Sequence, residues 1–150
     1  MGKLAEILTL ARERAQALGL PYAGALTPQE AYDVLQHAPG ARLVDVRTRA
    51  EQDWVGRVAG AAEIEWNTYP GGGRNENFLA QLKQAVDPQS AVLFLCRSGA
   101  RSDAAARAAT AAGYGNCYNV LEGFEGDRDA NGHRSTVGGW RHAGLPWQQG

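Results

Sequence analysis

Residues 91–115 read AVLFLCRSGARSDAAARAATAAGYG, and the change of character at Cys96 decides the architecture. Ala91–Leu95 is a short, unbroken apolar run, as expected of a strand covered on both faces at the centre of a parallel sheet. Ser98, Gly99 and Ala100 are small enough for a tight turn. An Ala-rich helix follows at once and ends near Gly113, a residue suited to a helix C-terminus. The stretch therefore reads as strand, turn and helix.

Working outward, NCYNV (116–120) and ARLVDV (41–46) read as further strands, with shorter ones at 22–25 and 62–65. Thr27 and Thr48 are N-cap residues, the first followed by proline at the first helical position, so helices are expected over AYDVLQHA and over Arg49–Trp54. FLAQLKQAV (78–86) is a third helix. Leu4, Ile7, Leu8, Ala11, Ala15 and Leu18 recur at steps of three or four, predicting an amphipathic helix over 3–18 closed by Gly19 and Pro21. TYPGGGRNEN (68–77) reads as a surface loop, and the C-terminal stretch as loop with one helical turn near Val137–His142. Strands alternating with helices predict an α/β fold, a parallel sheet with helices on both faces.

The chain has 150 residues, 44% hydrophobic and 21% charged, with a net charge of −1. That size suits one domain that needs no metal or disulfide to fold. The near-neutral charge argues against nucleic acid or a membrane surface as the partner. Two cysteines do not make a disulfide framework. Glu6, Arg12, Glu13 and Arg14 interrupt the N-terminal apolar positions, which excludes a signal-peptide core and leaves a cytoplasmic address as the expectation. His37, His133 and His142 lack metal-ligand spacing, and no metal is expected.

In an open α/β sheet, ligands bind beyond the carboxyl ends of the strands, and Cys96 stands there. The turn after it can aim backbone N–H groups inward at a helix N-terminus, making an anion site. A helix end stabilises an anion by ~0.3–1 kcal/mol, and by up to ~2 where partly buried. Arg97 and Arg101 add charge of the same sense. Cys96 is thus expected to act as a thiolate nucleophile. Cys117, inside a strand, is expected to be a buried structural thiol.

At this point the sequence resembles a known family. CRSGARS (96–102) is similar to the active-site loop of single-domain rhodaneses, the thiosulfate sulfurtransferases. LVDVRTRAEQ (43–52) resembles the family's strand ending in Asp-x-Arg, and GRVAGA (56–61) its Gly-His-Ile-Pro-Gly-Ala turn. NVLEGFEG (119–126) and GGWRHAGLPW (138–147) resemble its C-terminal segments. Two departures are Arg57, where the family usually has His, and Ala59, where it usually has Pro. The resemblance spans about residues 24–147 and implies a five-stranded parallel sheet between helices. Residues 1–22 then form an N-terminal helical extension, a candidate dimer contact, and 23–150 the rhodanese-like domain.

Loop length separates two chemistries. The related dual-specificity phosphatases place five residues between Cys and Arg, whereas Cys96 and Arg101 have four between them. The shorter loop fits a terminal sulfur rather than a phosphoryl group. The resemblance implies a ping-pong sulfurtransferase that loads Cys96 with sulfane sulfur from thiosulfate or a persulfide and passes it to cyanide, a thiol or a carrier protein. No cofactor is implied, and the protein is expected to be a monomer or homodimer. The alternatives are a phosphatase or arsenate reductase on the same loop, and a non-catalytic rhodanese-type binding module.

Several roles follow as expectations. The backbone of Arg97, Ser98, Gly99, Ala100 and Arg101 holds the transferred sulfur. Arg101 closes the loop by donating to its carbonyls, and Arg97 meets an anionic donor at the rim. Asp45 and Ser102 brace the loop. Arg47 and Glu51, at i,i+4 spacing, form a modest exposed pair. The four tryptophans pack the core or its edges, with Trp66 or Phe124 able to line the mouth.

Overall fold

The computed structural model describes residues 2–149. Five parallel strands, β1 (Gly24–Leu26), β2 (Arg42–Asp45), β3 (Ala62–Glu63), β4 (Val92–Leu95) and β5 (Cys117–Val120), form one sheet in the order β1-β5-β4-β2-β3. The apolar run before Cys96 is the central strand, pairing with β2 on one side and β5 on the other. All four of its residues are buried.

The helices are α1 (Lys3–Leu18), α2 (Pro28–His37), α3 (Arg49–Trp54), α4 (Phe78–Ala85) and α5 (Ala100–Ala111). Thr27 and Thr48 each form a capping box, accepting from the amide three residues on while the glutamate there accepts from the cap's own N–H. On one face of the sheet, Phe78 and Leu82 of α4 and Ala105, Ala106 and Ala109 of α5 pack against Val44, Val92 and Phe94. On the other, Ile7 and Ala11 of α1 and Ala31 and Val34 of α2 pack against Leu26, Leu93 and Tyr118, joined by Trp140 and Leu145. Ile7, Ala11 and Ala15 of α1 are buried against the sheet, while Leu10 and Leu18 of the same helix remain exposed.

Three local expectations are corrected. The first strand starts at Gly24, two residues later than expected, because residues 21–23 bend after Pro21. The C-terminal stretch has no helix at 137–142: Gly139 and Gly144 sit at φ 105° and 75°, and turns replace it. Trp54 is no core residue. It is 71% exposed and packs edge-on against the equally superficial Tyr69 of the Gly-rich loop, at 6.2 Å between ring centroids.

Candidate active site

Cys96 follows β4 directly and is 1% exposed. Gly99 is the N-cap of α5, at φ 113° and ψ −12°, a conformation open to glycine and strained for other residues. This geometry turns the Gly99 N–H back onto the Cys96 Sγ at 3.1 Å. Among the described residues it is the one loop amide that hydrogen-bonds the sulfur, where a ring of donors was expected. The Ser102 hydroxyl lies 3.3 Å from the same Sγ.

Ser102 is fully buried, and its oxygen also lies 2.6 Å from Asn119 Oδ1 and 3.1 Å from the Gly99 carbonyl. Asn119 Nδ2 donates to that carbonyl at 3.2 Å. One hydroxyl proton serves one of these acceptors at a time. A protonated Cys96 can donate to the Ser102 oxygen while that hydroxyl donates to Asn119. A thiolate instead draws the Ser102 proton to itself. Asn119 went unnoticed in the sequence; the available signal was a polar residue inside a strand expected to be buried.

The loop's carbonyls are held by backbone, which corrects the role expected of Arg101. Phe124 N–H donates to the Cys96 carbonyl at 2.8 Å, and Glu125 and Gly126 N–H donate to the Arg97 carbonyl at 2.9 and 3.2 Å. The approach is so close that a Cβ on Gly123 would stand 2.5–2.6 Å from the Arg97 carbonyl group and the Cys96 oxygen. With these acceptors taken, Arg101 turns the other way. Its Nη1 and Nη2 donate to the two Glu51 carboxylate oxygens at 2.7 and 2.8 Å, the bidentate geometry that suits guanidinium and carboxylate. Arg97 is exposed at the rim, Ser98 lies in the turn and Ala100 opens α5.

Glu51 is therefore no exposed partner of Arg47. It is the third residue of α3, and Thr48 N–H and Oγ also reach its Oε1, both at 3.1 Å. Burial pushes the Glu51 carboxyl up, but Arg101 and Thr48 outweigh it and hold it down at about 2. Arg101 is raised correspondingly, by Glu51 first, with Cys96 and Asp45 adding to the effect.

Arg47 precedes the Thr48 cap, so it lies just past the end of β2 and outside the helix. It is 0% exposed, as is Asp45. Its Nε and Nη2 grip the Asp45 carboxylate at 3.0 and 2.7 Å, its Nη2 reaches the Gly56 carbonyl at 2.8 Å, and its guanidinium lies 4.2 Å from the centroid of Phe124. Asp45 thus braces an arginine, and through Phe124 supports the segment that holds the loop. Phe124 and Trp66 are both buried, Trp66 beneath the guanidinium of Arg74, and neither lines a mouth. Arg57 sits apart, paired with Asp53 and Glu63.

Cys117 lies within β5. Burial pushes its thiol up to about 11. A cleft of about 350 Å3 with a mixed lining, including Tyr32, Arg42, Trp140 and Gln148, contains no residue of the 96–102 loop. No helix of the described residues is long and apolar enough to cross a membrane.

Comparison with known proteins places the family and the fold. The family model described as "Rhodanese-like domain" matches residues 27–130. The crystal structure of Rv0390 from M. tuberculosis is similar, with 48% identity, a TM-score of 0.79, and coverage of 86% of this chain and 99% of that one. An uncharacterized protein of Rickettsia conorii is 37% identical over 124 residues, 79% of this chain and 92% of its own length. The thiosulfate sulfurtransferase GlpE of Actinobacillus succinogenes is 29% identical over 123 residues, 82% of this chain and 88% of its own.

Proposed function

The chain belongs to the rhodanese-like domain family, and from that premise we propose that it is a sulfurtransferase working through a persulfide on Cys96. The observation that carries this reading is the single thiol at the carboxyl end of the central strand, met by the Gly99 N–H and the Ser102 hydroxyl at the start of α5. The likeness to a thiosulfate sulfurtransferase supports the class of reaction.

In the first half-reaction the Cys96 thiolate attacks the outer sulfur of thiosulfate. The new S–S bond forms as the sulfur–sulfur bond of the donor breaks, and sulfite leaves with the electron pair. A persulfide donor follows the same course, its thiol leaving with the proton. The Cys96 persulfide then yields its outer sulfur to a thiophilic acceptor, a thiol or carrier protein, and the thiolate is restored. Deep burial of Cys96 favours donors that present sulfur at a slender end. The Gly99 N–H and the Ser102 proton stabilise charge on sulfur at both stages. Arg97, Ser98, Ala100 and Arg101 shape the rim. A cytoplasmic setting, where thiols stay reduced, belongs to the same reading.

The test is direct. Exposed to thiosulfate without acceptor, the protein should gain the mass of one sulfur on the Cys96 peptide, and cyanide should remove it as thiocyanate. Absence of that adduct at a reduced Cys96 would sink the proposal.

A further inference from the structure

Arg101 and Glu51 face each other across the loop and α3 in a way that bears on the donor. Both terminal nitrogens of Arg101 are committed to one carboxylate. That carboxylate is itself fixed by the N–H and hydroxyl of Thr48, its own helix cap. It stays ionised through the neutral range, since its carboxyl is held down at about 2. The charge of Arg101 next to the nucleophile is therefore cancelled by a negative charge pinned from a second element.

Of the other charges near the loop, one cation is left unpaired. Arg47 is buried and neutralised by Asp45. Glu122, whose backbone lies behind Gly99, turns its carboxylate to accept the Gly139 N–H at 2.9 Å. Arg97 is left as the rim cation of the 96–102 loop without a carboxylate partner among the described residues. A donor must lower its outer sulfur to a Cys96 that is 1% exposed, which leaves the rest of the donor over these charges. For thiosulfate that remainder is a sulfonate, and the whole ion carries two negative charges. For an alkyl persulfide attacked as R–S–S–H it is an uncharged alkyl group.

Resting on the sulfurtransferase reading above, we infer that Glu51 is a donor-specificity residue: by neutralising Arg101 it tunes the site towards persulfide donors and against dianionic thiosulfate. Both donors give the same products at Cys96. Thiolate plus thiosulfate yields enzyme persulfide and sulfite, and thiolate plus R–S–S–H yields enzyme persulfide and R–S–H. The difference lies in the charge brought to the rim.

The experiment measures the rate of Cys96 persulfide formation by rapid quench and intact-protein mass, with thiosulfate and with the persulfide of N-acetylcysteine amide. The readout is the ratio of kcat/KM for the two donors. Glu51→Gln keeps an acceptor for Arg101 and Thr48 while removing the charge, and should raise the thiosulfate-to-persulfide ratio about tenfold, the scale of one unit charge about 10 Å away in a partly screened setting. Arg101→Gln should lower the ratio by a similar factor. The double variant Glu51→Gln/Arg101→Gln, with net charge as in the wild type, should return the ratio to within about twofold of the starting value. A ratio unmoved by Glu51→Gln, or both donors falling together in a variant that melts like the wild type, overturns the inference and makes Glu51 a purely structural brace. If neither donor loads the wild-type protein, the sulfurtransferase reading falls as well.

Discussion

Replacing Asp45 with asparagine tests the foundation of the site more severely than any change in the loop. The substitution conserves volume and one acceptor oxygen but withdraws a charge from a pair with no solvent contact. Arg47 would keep the Gly56 carbonyl and the face of Phe124, and would have no anion to balance it. Breaking a buried ion pair from one side costs about 3–5 kcal/mol. For a domain of this size each kcal/mol lowers Tm by about 2–4 °C, so a fall of roughly 6–20 °C is expected. Urea unfolding followed by fluorescence of the buried Trp140 gives the same quantity as a shift in midpoint at constant slope. The double variant Asp45→Leu/Arg47→Met removes both charges together and should recover most of the loss, because burying an ion pair is itself costly. An Asp45→Asn loss below about 1 kcal/mol would refute the reasoning, since it would mean that Arg47 finds water or another acceptor without strain.

Four further outcomes are expected. Arg101→Ala should reduce turnover more than Arg97→Ala, because it leaves the half-buried Glu51 carboxylate unpaired; Arg97→Ala should mainly raise KM for an anionic donor, most visibly at low salt in steady-state kinetics. Gly123→Val should cost several kcal/mol in urea unfolding and abolish sulfur loading, since no side chain fits against the Arg97 carbonyl group. Cys117→Ser should keep near-normal turnover while Cys96→Ser is inactive, and iodoacetamide at pH 8 should label Cys96 well before Cys117, whose thiol titrates only at about 11. Because the Glu51 carboxyl is depressed in the folded protein, its contribution to stability is complete above the ordinary carboxylate range and is lost as pH falls towards about 2; Glu51→Gln should flatten that part of the acid limb in thermal melts across pH 2–5.

The parts of the structure legible in the sequence are those written in local signals. Thr27 and Thr48 mark helix starts because a cap hydroxyl needs only the next three residues. Val92–Leu95 marks the central strand because burial on both faces demands an unbroken apolar run. The position of Cys96 between that strand and α5 followed from both. What stayed hidden depends on partners far along the chain. Arg47 and Glu51 have helical spacing, yet Arg47 lies on the strand side of the Thr48 cap, so the two side chains never share a helix face. Arg101 has carbonyls nearby in sequence, but residues 124–126 occupy them first, and Glu51 is 50 positions away. Asn119 reaches Ser102, the neighbour of Cys96, only through the sheet order that sets β5 beside β4.

The contact of Gly123–Gly126 with the Cys96 and Arg97 carbonyls has a consequence in time. A ribosome extends the chain from its N-terminus at roughly 5–20 residues per second, so the thiol is made a few seconds before the segment that clasps its turn. The Cys96 and Arg97 carbonyls gain their Phe124, Glu125 and Gly126 donors only once that later segment has been made. During that interval the turn that carries Cys96 is without those donors. Synthesis of Cys96 and completion of its surroundings are thereby separate events, and the second waits for the later part of the domain to dock.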